Sequence, residues 1–384
     1  MLRLAIAVLL PIALGGCTML NWFTGGSDNS EPPTALVPLE NPLAVQILWQ
    51  SGTGADSRDA FVRLVPALSP QGLYVAGFNG KVAALNPANG ARRWSYDADS
   101  HLSGGVGLGD DIVLVGKPEG EVIAIEADNG SERWRVRVSS EVLSPPQAAE
   151  GMVVVRTVDG RLQGLDSVDG AARWTFNSGV PPLTLRGTSA PLLVPGAAIV
   201  GLDNGKVAVL DSVSGRAFWE RTVSPPTGRT ELERLVDIDA NPKLLGKVLY
   251  LVTYQGRLVA MEVETGRVLW SRDLSSYTGL DVDDGSVYVS DADGVVWAMD
   301  RRNGVSLWRQ DALKFRNITS PVLFGGFVVV GDLQGYLHWL STETGQIRAR
   351  TRVGKEAIVV PPVSNGEALF ALDITGQVAA VSGP

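Results

Sequence analysis

A sixteen-residue phrase recurs along the 384-residue chain at a nearly fixed interval. Its first copy, NGKVAALNPANGARRW, spans residues 79–94, and five further copies also end in tryptophan. In all six, a second glycine follows the first by ten residues and the tryptophan follows it by fourteen. A seventh copy at residues 334–349 lacks only the tryptophan, and an eighth begins at residue 375. Self-similarity with a period of about 40 residues is typical of stacked or radial repeat folds.

Each copy carries the local signals of β-hairpins. The apolar run GLYVAGF at residues 72–78 is rich in β-branched and aromatic residues, and later copies have equivalent runs. Such runs end at two-residue turns like Asn79-Gly80, which supply the positive φ angles of a tight hairpin. Four short antiparallel strands per repeat at this period predict an all-β fold, a β-propeller of four-stranded blades.

The chain ends predict how the ring closes. The final copy has no tryptophan-bearing strand, whereas residues 44–50, AVQILWQ, form an isolated strand near the N-terminus. If this strand completes the last blade, the ring has eight blades over residues 42–384 and no open edge along the circle. A large aromatic at one place in each blade can fill the seam between neighbouring sheets. The predicted structural tryptophans are Trp49, Trp94, Trp134, Trp174, Trp219, Trp270 and Trp308.

The N-terminus has the pattern of a targeting segment. Arg3 precedes an apolar stretch at residues 4–13, and Leu14-Gly15-Gly16-Cys17 follows. This resembles a bacterial lipobox, in which residues 1–16 are removed and Cys17, the only cysteine, is lipid-modified; the alternative is an ordinary secretory signal. No Asp follows Cys17, which favours an outer-membrane anchor with the propeller in the periplasm. Acyl chains anchor a protein without a spanning helix, and residues 17–41 are predicted to be a flexible tether.

Signals for chemistry are sparse. The two histidines, His101 and His338, are far apart, and a cross-strand or surface role is expected for His338. No Cys/His cluster has metal-ligand spacing, and the acidic stretches 281–284 and 291–293 do not continue as a calcium loop. A net charge of −8 with no basic stripe argues against a nucleic-acid partner. The sequence therefore predicts no catalytic residue, no metal and no cofactor.

The repeat phrase is nevertheless similar to that of pyrroloquinoline-quinone (PQQ) dependent alcohol dehydrogenases. A periplasmic quinoprotein dehydrogenase is therefore the main alternative function. Those enzymes are longer, commonly carry a disulfide of adjacent cysteines and hold calcium, whereas this chain has one cysteine and no evident ligand set. A third possibility is a lipid-anchored propeller that binds carbohydrate or peptidoglycan through its tryptophans. Packing between blades explains these tryptophans better.

Two consecutive repeats are longer than the others. Successive first glycines are separated by 40, 40, 45, 51, 38, 41 and 41 residues. The excess lies in residues 180–187, VPPLTLRG, and in residues 224–242, which contain Asp237 and Asp239. Insertions in a repeat often map to a binding face, so we expect two neighbouring loops that dock a protein. The alternative is a solvent-exposed elaboration without a partner.

Lipobox, linker, eight repeats and the two long loops together resemble the BamB family of outer-membrane β-barrel assembly (BAM) lipoproteins. Further matching phrases are PPLTLRG at residues 181–187, TSPVL at 319–323 and VVGDLQGYLHWL at 329–340. The resemblance implies a non-catalytic scaffold on the outer membrane that docks on the periplasmic POTRA domains of BamA. Other BAM subunits are partners through the complex, and unfolded outer-membrane proteins are further candidates. The docking residues implied by the match are Leu183, Leu185, Arg186, Asp237 and Asp239.

Overall fold

The computed structural model describes residues 31–58, 62–187 and 189–384. The predicted signal peptide and Cys17 lie outside the described residues. The compact unit Thr34–Pro384 carries every described strand, and these form eight four-stranded antiparallel sheets. This confirms the predicted eight-bladed β-propeller. No helix in the described ranges is long and apolar enough to cross a membrane.

The strands are numbered in chain order, and each blade is given from its innermost to its outermost strand. Blades 1 to 4 comprise β2 (Ala67–Ser69), β3 (Gly72–Ala76), β4 (Lys81–Leu85), β5 (Arg92–Asp97); β6 (Gly104–Gly109), β7 (Ile112–Gly116), β8 (Glu121–Glu126), β9 (Glu132–Arg137); β10 (Gln147–Ala149), β11 (Met152–Arg156), β12 (Arg161–Asp166), β13 (Ala172–Asn177); β14 (Leu192–Val194), β15 (Ala197–Gly201), β16 (Lys206–Asp211), β17 (Ala217–Thr222).

Blades 5 to 8 comprise β18 (Lys243–Leu245), β19 (Val248–Val252), β20 (Arg257–Glu262), β21 (Val268–Asp273); β22 (Gly279–Val282), β23 (Ser286–Ser290), β24 (Val296–Asp300), β25 (Ser306–Gln310); β26 (Val322–Phe324), β27 (Phe327–Gly331), β28 (Tyr336–Ser341), β29 (Ile347–Arg352); β30 (Val363–Ser364), β31 (Leu369–Leu372), β32 (Gln377–Val381) and, outermost, β1 (Ile47–Gly52).

The core lies between the blades. All five residues of β3, β7 and β11 are buried, because a neighbouring blade covers each face of these second strands. The outermost strands are instead mostly exposed, and in β5 and β13 the tryptophan is the one buried residue. Turn glycines join the strands, and the apolar runs found in the sequence become the second strand of each blade.

The two ends of the chain close the ring as predicted. Strand β1 pairs antiparallel with β32, with Trp49 opposite Ala380 and Gln50 opposite Ala379. The indole N–H of Trp49 then donates a 2.9 Å hydrogen bond to the carbonyl of Pro87 in blade 1. Residues far apart in sequence therefore complete blade 8 and connect it to the next blade.

The same connection repeats around the ring. Trp49 and the six phrase tryptophans each donate an indole hydrogen bond of 2.8–3.0 Å to a backbone carbonyl of the following blade. Each ring also covers the second glycine of the following phrase, so closely that a Cβ on Gly130 would lie 2.7 Å from Trp94. Equivalent pairs are Trp49–Gly90, Trp134–Gly170, Trp174–Gly215, Trp219–Gly266, Trp270–Gly304 and Trp308–Gly345. The phrase keeps glycine and tryptophan together because each tryptophan needs the glycine of the next copy.

The missing tryptophan of the seventh copy has a structural reason. Ala349 is fully buried at that position in blade 7. Blade 8 takes its outermost strand from the N-terminus, so it has no turn between its third and fourth strands. Without that glycine turn, a tryptophan in blade 7 would have no equivalent surface to cover.

Residues 34–43 lie along blade 7, and we call them the strap. The amide of Thr34 donates to the carbonyl of Lys314 at 3.0 Å, and the amide of Leu43 donates to the carbonyl of Arg348 at 2.8 Å. Leu36 packs on the core cluster between blades 6 and 7. Residues 34–41 belong to the predicted flexible tether, but in the structure they contact the ring.

A buried polar network supports the strap. Arg316 donates two hydrogen bonds, of 2.9 and 2.7 Å, to Oδ2 of Asp332 and a third, of 2.9 Å, to the carbonyl of Thr34. His338 is fully buried, with Nε2 2.9 Å from Oδ2 of Asp332, and lies directly across the sheet from Arg350. The cross-strand role expected for His338 is confirmed and the surface role is wrong.

Candidate docking site

The two faces of the ring differ in their connections. The loop face carries the segments that lead from the outermost strand of one blade to the innermost strand of the next. The turn face, on the opposite side, carries the turns between the first and second and between the third and fourth strands. The first docking loop, residues 178–191, joins β13 to β14, and the second, residues 223–242, joins β17 to β18. Both enlarged intervals of the repeat therefore lie on the loop face, in consecutive positions around the ring.

The two docking loops are joined directly. The amide of Leu185 donates a 2.5 Å hydrogen bond to Oδ2 of Asp237. The amide of Ala190 donates a 2.8 Å hydrogen bond to Oδ1 of Asn241. Between these links the Asp239 carboxylate lies against Gly187, where an added Cβ would come within 3.2 Å of the carboxyl carbon. The second loop thus fixes the backbone of the first.

The first docking loop presents its side chains to solvent to different degrees. Leu183 is 43% exposed, whereas Leu185 is half-buried above the second loop. Arg186 is exposed, and its guanidinium forms a two-pronged ion pair with Glu141, with N–O distances of 2.7 and 3.1 Å. Asp237 accepts a hydrogen bond from the loop backbone at Leu185, whereas Arg186 pairs with Glu141 rather than with Asp237 or Asp239.

The second docking loop adds a leucine that repeat lengths alone do not single out. Residues 230–234 form a short turn in which Glu233 accepts hydrogen bonds from the amides of Arg229 and Thr230 and donates its own amide to Thr230 Oγ1. This reciprocal capping holds Leu232 outward, where it is 63% exposed. A lone leucine within the polar stretch TGRTELER was the available signal in the sequence.

Buried carboxyl groups lie beneath the docking loops. Asp237 is fully buried, and its Oδ1 has no hydrogen-bond partner among the described residues. Burial raises the pKa of Asp237 to about 7, with Asp239 and Asp203 adding repulsion, although the hydrogen bond from Leu185 opposes the rise. Burial likewise raises the pKa of Asp239 to about 6, against the nearby Arg156 charge. Loss of solvation therefore disfavours the ionised form of both supporting carboxyl groups.

A central cavity opens beside these loops. Its volume is about 1110 Å³, and its lining includes Arg186, Gly187 and Asp239 from or beside the docking loops. Lys243 also lines it and pairs with Asp281 at 3.1 Å. Groups of three or more His, Cys, Asp or Glu arranged to hold a metal ion are absent from the described part of the chain.

The structure assigns roles to the predicted site residues and adds others. Leu183 and Arg186 are presented to solvent, Asp237 and Asp239 support the first loop from beneath, and Leu185 lies between them. The roles of Glu141 and Asn241 were not predicted from the sequence. Glu141 belongs to a repeat of ordinary length, so no spacing signal marked it. An exposed leucine and arginine held on a fixed loop are chemically suited to protein docking.

Comparison with known proteins shows the family to which the chain belongs. The family model described as outer membrane protein assembly factor BamB matches residues 78–310 and 293–383. The outer membrane protein assembly factor BamB of Pseudomonas aeruginosa is 45% identical over 376 residues, covering 98% of this chain and 97% of that protein. The crystal structure of BamB from Moraxella catarrhalis aligns with a TM-score of 0.82 at 30% identity, covering 88% of this chain and all of that one.

Quinoprotein enzymes share the fold at much lower identity. The quinohemoprotein alcohol dehydrogenase from Comamonas testosteroni aligns with a TM-score of 0.68 at 13% identity, covering 88% of this chain and 76% of that one. This likeness shows a common propeller and carries no activity across. The relatives that are similar over nearly their whole length are named as assembly factors, a non-enzymatic role. The chain therefore belongs to the BamB family of outer membrane protein assembly factors.

Proposed function

We propose that this chain is a lipid-anchored, non-catalytic scaffold of the outer-membrane β-barrel assembly complex. In this proposal residues 1–16 are a signal peptide, Cys17 carries the lipid, and the ring stands in the periplasm. The loop face docks on the POTRA domains of the barrel-forming subunit BamA and helps outer-membrane proteins to fold and insert. The support comes from the lipobox in the sequence, the family and the built docking loops.

One observation carries the docking part of the proposal. The segment from Leu183 to Arg186 is exposed at its leucine and arginine, while its backbone is fixed at Leu185 by the buried Asp237. A partner that binds such a segment does not have to order it first, and this lowers the cost of association. Leu232 extends the apolar area on the neighbouring loop.

Affinity purification of the intact chain in mild detergent tests the proposal. The lipidated chain should recover a large outer-membrane barrel protein with periplasmic domains. A matched variant with Cys17→Ala should lose membrane association, while its folded ring still binds added POTRA domains. Recovery of the intact, lipidated chain without any barrel protein would contradict the scaffold role.

A further inference from the structure

We infer that Glu141 and Asn241 are positioning residues that hold the first docking loop in its partner-binding conformation before the partner arrives. The inference rests on the proposed docking function and deepens it, since neither residue is part of the predicted docking set. Both lie on connections that flank the first docking loop, one on each side around the ring.

Glu141 acts on the arginine of the docking loop. It lies in the connection of residues 138–146 between β9 and β10, and its side chain is only 17% exposed. Its two carboxylate oxygens accept from the two terminal nitrogens of Arg186, a geometry that fixes the plane of the guanidinium. The Glu141 carbonyl also accepts from the amide of Val158 at 3.0 Å, so its own backbone is tied to blade 3.

The Arg186 side chain stays available for binding although it is paired. It remains 53% exposed, and a guanidinium has five N–H donors, of which Glu141 engages two. The free donors suit a carboxylate or backbone carbonyl of a partner. Because a long side chain loses rotamer freedom when it is bound, prior fixation by Glu141 removes part of that entropic cost.

Asn241 fixes the other end of the exposed segment. Its Oδ1 accepts from the amide of Ala190, five positions beyond the Leu185 amide that Asp237 holds. The first docking loop is therefore attached at positions 185, 186 and 190 to neighbours on both sides. Removing one attachment should loosen the loop without unfolding the blades, whose hydrogen-bonded strands lie elsewhere.

The test measures the dissociation constant of the folded full-length ring for the isolated POTRA domains of its own BamA. We expect Glu141→Ala to weaken binding by about three- to tenfold, the scale of ordering one long side chain. Glu141→Gln should weaken it less, because the amide keeps one acceptor oxygen. In an Arg186→Ala background, Glu141→Ala should have no further effect, since a positioning residue acts only through the group it positions.

Glu126→Ala is the matched control. Glu126 forms a comparable two-pronged pair with Nε and one terminal nitrogen of Arg133, with both N–O distances 2.7 Å, but on the turn face. This control should leave the dissociation constant unchanged. Hydrogen exchange of the free chain gives a second measurement that needs no partner: Asn241→Ala should speed exchange at the Ala190 amide while the amides of β15 stay protected.

The outcomes separate this inference from the proposed function. If the unmodified chain fails to bind the POTRA domains, the proposed function is wrong. If the unmodified chain binds and Arg186→Ala weakens binding, but Glu141→Ala binds equally or more tightly, then Glu141 does not position Arg186 and the inference is overturned. An unchanged exchange rate at Ala190 in Asn241→Ala would overturn the role of Asn241.

Discussion

The amide of Leu185 donates to the carboxylate of Asp237 across the gap between two neighbouring blade connections, at 2.5 Å. The acceptor is completely buried and the donor lies in an exposed loop. The acceptor is a buried carboxyl group, where an ordinary loop would use water or a backbone carbonyl. This bond joins the two long connections into one surface, and it shows that Asp237 supports the first docking loop.

Substitution of Asp237 should separate support from contact. Asp237→Ala removes the acceptor for Leu185 and should weaken POTRA binding by about tenfold, comparable to leaving a buried donor unsatisfied. Asp237→Asn retains an acceptor oxygen and should stay within about threefold of the unmodified chain. Calorimetric titration measures both. Equal loss in the two variants would mean that the negative charge itself, rather than the loop support, is needed.

The pH dependence of stability provides a second prediction. The pKa of Asp237 is about 7 in the folded chain against an ordinary value of 3.8, so between these values the folded chain keeps a proton that the unfolded chain has released. The free energy of unfolding should therefore fall as pH rises through this window. Asp237→Asn should be more stable than the unmodified chain by about 1–3 kcal/mol at pH 8, and the difference should disappear near pH 4. Chemical denaturation across this range measures the effect; parallel curves would contradict it.

The contact between a tryptophan and a turn glycine should control the fit of adjacent blades. A Cβ on Gly304 would lie 2.6 Å from the Trp270 ring, at a φ of 68°. Gly304→Ala should lower the free energy of unfolding by about 2–4 kcal/mol through overpacking and backbone strain. Gly196→Ala is the control, since Gly196 has a φ of 73° and an added Cβ there would meet no atom of the described residues within 4 Å. If both variants lose the same stability, the tryptophan contact contributes nothing.

Arg316 should stabilise both the strap and blade 7. Burial raises the pKa of Asp332, but the interaction with His338 and the hydrogen bonds from the Tyr336 amide and Arg316 outweigh that effect and hold it at about 2. Arg316→Ala leaves this carboxylate buried with one partner fewer, and we expect a loss of about 3–5 kcal/mol in unfolding free energy. The strap should also become a site of limited proteolysis. Arg302→Ala, which breaks an exposed pair with Asp300, should leave both measurements unchanged.

Most of the fold could be predicted from the sequence, because the pattern of one blade is repeated along the chain. Turn glycines and apolar runs predicted the strands, and the incomplete eighth copy with Trp49 predicted the closure between β1 and β32. The repeat pattern does not predict which side chains pair between blades. The partner of Arg186 is Glu141, 45 positions earlier in an ordinary repeat, and such a pair depends on how two blades are placed in space. The buried state of His338 follows from its place in the third strand of a blade, where the equivalent Ala83, Ile123 and Val259 are also buried, and an alternating strand pattern does not reveal it.

The most direct test of the account is the affinity of the full ring for the isolated POTRA domains of BamA, measured by titration with the unmodified chain and with a Leu185→Ala, Arg186→Ala double variant. The account predicts saturable one-to-one binding by the unmodified chain and a loss of at least about a hundredfold in the double variant, the scale of removing two central interface residues. The circular dichroism and melting of the two proteins should match. Equal affinity of the two folded proteins would contradict a docking surface on the loop face.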